Sequence, residues 1–165
     1  MEIDTQRFRL YQPNLKSWEN SRDLNEIIRF LNERGDDLLR HGPIPEPNEV
    51  HGNYLSDPTR TRVSLIRDLD ANPACIVAVA MLKFSYDWRN GVGDVECVLV
   101  DEAFRFLGLG RGLMEHLIAQ AREVFPKIHF VRLISEPDRV DARTLYLKIG
   151  FQLVEGSDRH FELVL

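Results

Sequence analysis

The chain has 165 residues, 44% of them hydrophobic and 28% charged, a balance at which one domain buries about two-thirds of its unfolded surface. Its formal charge of −5 argues against the broad basic footprint of a nucleic-acid binder, and no stretch approaches the roughly 20 apolar residues of a membrane-crossing helix. Residues 1–6 carry neither a basic region nor an apolar run, so no export signal is expected and the protein is expected in the cytoplasm.

In chain order, residues 7–11 read as a first strand and residues 18–34 as one or two helical segments with Leu24, Ile27, Ile28 and Leu31 on one face. Segment 41–47 holds Pro43, Pro45 and Pro47, which rules out regular helix and predicts a surface loop. Residues 61–66 and 75–86 read as paired strands around the turn-forming 68–73, and Asn90 with Gly91 marks the next turn. A strand follows at 95–100. Next, Leu113, Met114, Leu117, Ile118, Ala121 and Val124 fall within one helical arc, with Glu115, His116, Gln120, Arg122 and Glu123 opposite and Pro126 as the stop. Residues 131–135 read as a strand. Ala142, Leu145, Tyr146 and Ile149 then have the i, i+3, i+4, i+7 spacing of a short helix that Gly150 terminates. Two strands, 151–155 and 160–165, close the chain. Cys75 and Cys97 sit inside apolar strands and read as reduced core thiols. His41, His51, His116, His129 and His160 are scattered singly, so no metal site is expected.

The most informative segment joins strand 95–100 to the helix after it: Arg105, Phe106, Leu107, Gly108, Leu109, Gly110, Arg111 and Gly112. Three glycines in five positions let the backbone come close to a ligand. The helix start behind them presents unpaired N–H groups and the positive end of a dipole, which suits phosphate. A nucleoside-triphosphate P-loop needs Lys followed by Ser or Thr after its last glycine, where this chain has Arg111 and Gly112. A dinucleotide fingerprint needs G-x-G-x-x-G, whereas Gly108, Gly110 and Gly112 are spaced G-x-G-x-G.

What Arg105, Gly108 and Gly110 fill is Arg or Gln, two residues, Gly, one residue, Gly or Ala. That pattern resembles motif A of the GNAT-type N-acetyltransferase superfamily. Ala142, Leu145 and Tyr146 followed by Gly150 and Phe151 resemble the family's motif B in the same order and at a fitting distance. The likeness covers motif A at about 94–125, motif B at about 138–151 and the closing hairpin, and it implies one such domain over 1–165. The fold implied is α/β (α+β): a central mixed, mostly antiparallel sheet of about seven strands flanked by helices. The segment between the first and second strands would lie over the acceptor pocket. One position departs from the family, which often has Asn where this chain has Arg139.

The chemistry implied is direct transfer of an acetyl group from acetyl-CoA, a co-substrate, to a primary amine of a small molecule or protein. No Cys or Ser stands beside a base in the motifs to carry an acyl-enzyme. The cofactor would be held by the main chain of residues 105–112, with Arg105 and Arg111 near the pyrophosphate, and by Val98, Leu99, Val100 and Tyr146. Leu99 and Val100 would offer main-chain N–H groups to the carbonyl oxygen. Glu96 and Asp94, two residues apart, would project to one face of their strand near the thioester. Glu96, further in, is the preferred base and Asp94 the second candidate, against the plainer reading of both as polar residues at the wet start of a splayed strand. Tyr146 would be the acid for the leaving thiolate, or else an aromatic packed on its helix. Two other classes stay open: a non-catalytic module that binds or senses acyl-CoA, and a nucleotide binder outside the family. Relatives often dimerise, so a homodimer is compatible with the resemblance.

Overall fold

The computed structural model describes residues 3–13, 22–34, 59–86 and 91–165. The expected loop 41–47, the start of the first helical segment at 18–21, His51 and Asn90 lie outside the described residues. Among the described residues there are seven strands: β1 (Phe8–Tyr11), β2 (Thr61–Asp68), β3 (Cys75–Tyr86), β4 (Gly91–Val100), β5 (Ile128–Ile134), β6 (Gln152–Leu153) and β7 (His160–Val164). Three helices accompany them: α1 (Arg22–Arg34), α2 (Leu109–Val124) and α3 (Val140–Ile149). The sheet runs β1-β2-β3-β4-β5-β7-β6, and every neighbouring pair is antiparallel except β4 and β5.

Alternation along β3 divides the core into two layers. Val79 and Met81 pack with Leu24, Ile27 and Phe30 of α1. Ala78, Ala80, Leu82 and Phe84 pack with α2 and with Tyr146 of α3. Leu113, Met114, Leu117 and Ala121 are completely buried, and each large apolar side chain so placed stabilises the fold by about 1.5–3 kcal/mol. Arg67 of β2 ties α1 to the sheet: it pairs with Glu26, donates to Asp23 Oδ1 at 3.1 Å and to the Ala74 carbonyl at 2.8 Å.

The structure corrects several details of the sequence reading. Gln120, expected on the wet side of α2, is buried and donates to His116, whose Nδ1 lies 2.9 Å from Ser64 Oγ. Val124, expected inside, is 43% exposed, and Phe125 beside it is the residue that turns into the core. The strand expected at 95–100 begins at Gly91, so Asp94 and Glu96 sit mid-strand and not at its wet start. Only Gln152 and Leu153 of the expected strand 151–155 pair with β7; Phe151 is drawn into the core and Gly156, at φ 78°, turns the chain.

Two glycines set up the parallel pair. A Cβ on Gly91 would collide with the carbonyl oxygen of Lys127, and one on Gly93 would stand 2.8 Å from Ile128 Cδ1 and 2.9 Å from Leu82 Cδ1. Both therefore let the start of β4 lie tightly against β5. Their pairing runs only from Gly91↔Ile128 to Asp94↔Arg132. Immediately beyond, Val95 pairs with Leu82 and Cys97 with Met81, which leaves Glu96 as the extra residue of a bulge. A bulge bends its strand and increases the local twist. Beyond Asp94, β4 and β5 separate into a wedge.

Candidate active site

The wedge and the groove that continues it hold two cavities. One, of about 510 Å³, lies between the separated strands and is walled by Glu96, Cys97, Ser135, Glu136 and Arg139 among others. The second, of about 430 Å³, runs between Val98–Val100, the turn from Phe104 to Arg111, and the first turns of α3. Val98, Asp138, Arg139, Ala142 and Tyr146 line both. The two spaces thus share a wall.

At the far end of the second cavity, Gly108 caps α2 in the left-handed region at φ 80°, where a side chain costs roughly 1–2 kcal/mol. Phe106 takes φ 65° without being glycine and is 78% exposed. The first helical bond of α2 runs from Gly112 N–H to the Gly108 carbonyl at 3.1 Å. The amides of Leu109, Gly110 and Arg111 therefore have no acceptor within the helix. Arg105 donates to the Val100 carbonyl at 3.4 Å and pairs with Glu102 at 3.4 Å; Arg111 pairs with Glu115 at 2.7 Å. A Cβ on Gly110 would come 3.2 Å from Leu145 Cδ2 on α3. Gly112 and Leu107, read with the cradle, do not wall the cavity. Gly112 instead gives room to Ile3, whose Cδ1 a Cβ there would strike.

The backbone of β4 separates the expected amides. Asp101 N–H bonds the Val77 carbonyl on β3 at 2.9 Å. The alternation of backbone groups then turns the N–H of Leu99 toward β3 as well, and those of Val98 and Val100 toward the open side. Arg105, reaching the Val100 carbonyl from that side, fits the same geometry. Leu99 is thus buried with its amide turned to the sheet, and Val98 and Val100 face the cleft.

The two acids differ. Asp94 Oδ1 accepts from Arg132 Nη2 at 3.2 Å and Asp94 Oδ2 accepts from Ser85 Oγ at 2.9 Å, so both its oxygens are engaged. Glu96 has no hydrogen bond or ion pair among the described residues and lines the larger cavity. Glu96 is itself exposed, but partial loss of water and the charge of Asp94 raise its carboxyl above the ordinary range, with Lys83 acting the other way. The expectation that the two share one face assumed strict alternation, which the bulge interrupts.

Tyr146 is 7% exposed, packs against Phe151 and Phe161 with ring centroids 6.0 and 6.2 Å away, and lines both cavities. Its hydroxyl has no hydrogen-bond partner among the described residues. Burial, with Cys97 adding and Arg139 opposing, pushes the phenol up to about 12. Burial and the charge of Glu96 push the Cys97 thiol up to about 12 as well, so it stays protonated at neutral pH. The helix that presents Tyr146 ends as its sequence predicts: Gly150, at φ 112°, donates to the carbonyls of Tyr146 and Leu147. The wall residues Cys97, Ser135, Glu136 and Arg139 were not singled out as site residues from sequence. From sequence Cys97 reads as a core thiol and Arg139 only as a departure from the family pattern, and nothing local marks Ser135 or Glu136.

Such a sheet, parted between a lone parallel pair and flanked by a glycine-capped helix, is that of the acyl-CoA N-acyltransferases. The sequence matches the Acetyltransferase (GNAT) family over residues 25–151, and the chain belongs to that family. Among functionally curated proteins, none matches the sequence significantly. Solved structures share the fold: a GNAT-family acetyltransferase of Staphylococcus aureus Mu50 superposes with a TM-score of 0.70 at 18% identity, over 96% of this chain and 99% of that one. Arabidopsis thaliana NAA60, solved with a bisubstrate analogue, gives 0.69 at 14% identity over 95% and 97%. A chain of the NatC complex bound to Gag peptide and CoA gives 0.73 at 15% over 96% and 98%. Among the described residues, no helix is long and apolar enough to cross a membrane, and no group of three or more metal-ligating side chains is found.

Proposed function

We propose that the protein transfers an acetyl group from acetyl-CoA to a primary amine in a single direct step. The observation that carries this reading is the shared wall: the unpaired amides of α2 and the Tyr146 hydroxyl open onto one groove, and that groove meets the cavity holding Glu96. The donors present fit the cofactor. Amides of Leu109, Gly110 and Arg111 at a helix start, with Arg105 beside them, suit a pyrophosphate, and the space left by Gly110 lets it approach the backbone. Acetyl-CoA supplies the activated acyl group as a thioester.

The chain's own residues then have separate tasks. At pH 7 an amine with the ordinary lysine pKa near 10.4 is almost wholly protonated, a handicap of roughly 4–5 kcal/mol. Glu96, raised above the usual range and free of partners, takes the proton from the incoming ammonium, directly or through water. Asp94, held by Arg132 and Ser85, keeps a fixed negative charge near it. The amide of Val98, the nearer to Glu96, donates to the carbonyl oxygen as charge develops there, and that of Val100, about 6–7 Å further along the strand, is left for another part of the cofactor. Tyr146, fully protonated at neutral pH, donates a hydrogen bond to the departing sulfur. Complete proton transfer from a phenol near 12 to a thiolate of ordinary pKa about 8.5 is uphill, so the phenol stabilises the sulfur by its hydrogen bond, and the second proton lost from nitrogen as the amide forms reaches the thiolate through water.

Calorimetric titration with acetyl-CoA followed by thiol release on adding amines tests this. One-site binding with amine-dependent thiol release is expected. Binding without release from any amine would identify an acyl-CoA-binding module instead, and absence of binding would remove the cofactor from the site.

A further inference from the structure

The larger cavity carries four charged side chains: Glu96, Glu136, Asp138 and Arg139. Two are already engaged. Glu136 pairs with Arg159 at 3.5 Å, and Asp138 makes a polar contact of its own. The side chains of Glu96 and Arg139 have no hydrogen bond or ion pair among the described residues, including with one another. The cavity therefore presents one open anion, from β4, and one open cation, from the residue that caps α3. The guanidinium donors of Arg139 are thus available to an anion from outside.

The cofactor is a poor source for it. The phosphate-bearing end belongs to the turn before α2, where free amides and two further arginines already supply positive charge. Arg139 instead lines both cavities, close enough to the Tyr146 hydroxyl for its charge to be felt there, at the reacting end of the groove. The portion of an acyl thioester that lies beside a leaving sulfur is uncharged. We infer that Arg139 determines specificity by binding the carboxylate of the acceptor, and that the acceptor is an amino acid with its amine at Glu96 and its carboxylate on the Arg139 guanidinium. This rests on the acetyl-transfer reading above. In the reaction the acceptor's ammonium gives one proton to Glu96, its nitrogen bonds the acyl carbon, the carbon–sulfur bond breaks with its electron pair on sulfur, and the second nitrogen proton passes through water to the thiolate, giving an amide and a free thiol; the acceptor's carboxylate takes no part in the bond changes.

The test compares α- and ω-amino acids with their amides and with the decarboxylated amines, followed by thiol release from acetyl-CoA. The amide of an α-amino acid has the less basic amine, so more of it is neutral at pH 7 and chemistry alone favours it. The expected result is the reverse: the free acid exceeds its amide roughly 10- to 100-fold in kcat/KM, chiefly through KM, as a hydrogen-bonded charge pair would give. In R139Q the ratio falls to one or below, as the amine chemistry alone would give, while the acetyl-CoA Kd changes less than twofold, and R139K restores part of the preference. Equal rates with acid and amide in the unaltered protein would overturn the proposal and leave acetyl transfer standing. So would an R139Q variant that loses acetyl-CoA affinity but keeps the preference, since Arg139 would then serve the cofactor. Thiol release from none of the amines would overturn the transfer reading itself, and this proposal with it.

Discussion

Replacing Tyr146 by Phe removes one oxygen and leaves the ring in place. In the folded chain that oxygen bonds no described residue, and the ring keeps its contacts with Phe151 and Phe161, so the loss of stability at pH 7 is expected to stay under about 0.5 kcal/mol. The catalytic cost is larger. A hydrogen bond to a group that gains charge is worth about 1.5–3 kcal/mol, which lowers kcat by roughly 10- to 150-fold. The acetyl-CoA Kd should barely move, because the thioester sulfur of the ground state is a weak acceptor. The unaltered protein carries a further signature. Its phenol is raised from the ordinary 10.0 to about 12, so the unfolded chain ionises first. The stability that Tyr146 contributes is complete below pH 10 and declines as pH rises toward 12, by on the order of 3 kcal/mol in all. Tyr146→Phe should remove that decline. The assays are thiol release under saturating amine, calorimetry with acetyl-CoA, and urea unfolding as a function of pH. A variant that folds, binds acetyl-CoA and turns over within twofold of the original would refute the assignment of the hydroxyl to the leaving group.

Four other perturbations follow from the same geometry. Glu96→Gln should lower kcat about 100-fold and erase a limb of the pH profile lying above the usual carboxylate range. Because folding raises this carboxyl, its ionisation opposes folding as pH climbs through that limb, so the variant should be no less stable at pH 7; lost stability would count against the assignment. Gly110→Val should weaken acetyl-CoA binding at least tenfold by calorimetry, with about 1–3 kcal/mol of overpacking against Leu145, and unchanged affinity would remove the cradle. Gly91→Ala, which drives a methyl group into the Lys127 carbonyl, should cost about 2 kcal/mol or more and lower Tm by roughly 4–8 °C; an unshifted Tm would mean that the parallel pair tolerates separation there. His116, lowered by burial, supports the fold above its ordinary pKa of 6.5, and that support is lost as pH falls through its lower folded value. His116→Gln should flatten this acid limb of the unfolding curve, and an unaltered limb would assign it to another group.

The parts of this site that could be read from sequence are those whose physics is local. Glycine at 108 is demanded by a left-handed helix cap, Gly150 by another, and both announce themselves within a few residues. The stripe of α2 was legible for the same reason, apart from Val124, which is exposed, and Gln120, whose burial depends on a histidine one turn away and a serine on β2. Distinguishing Asp94 from Glu96 needed Arg132, 38 residues further on, and a bulge visible only in the pairing of β4 with β3. Gly112 looked like part of the cradle because it continues the glycine spacing, yet its space serves Ile3 from the other end of the chain. Periodicity carries no information about such distant partners.

The parting of β4 from β5 has a consequence outside catalysis. Past Asp94, the side of β4 turned to β5 meets no strand among the described residues, so the middle of the sheet contains an edge of the kind proteins ordinarily hide. Without a ligand, that edge is a template for any extended segment, including one from a neighbouring molecule. A ligand able to donate and accept along it would close the gap as a strand would, and would raise the free energy of unfolding in proportion to its occupancy. Solubility and shelf life of the purified protein should therefore track its ligand content, with the fully loaded form the least prone to self-association.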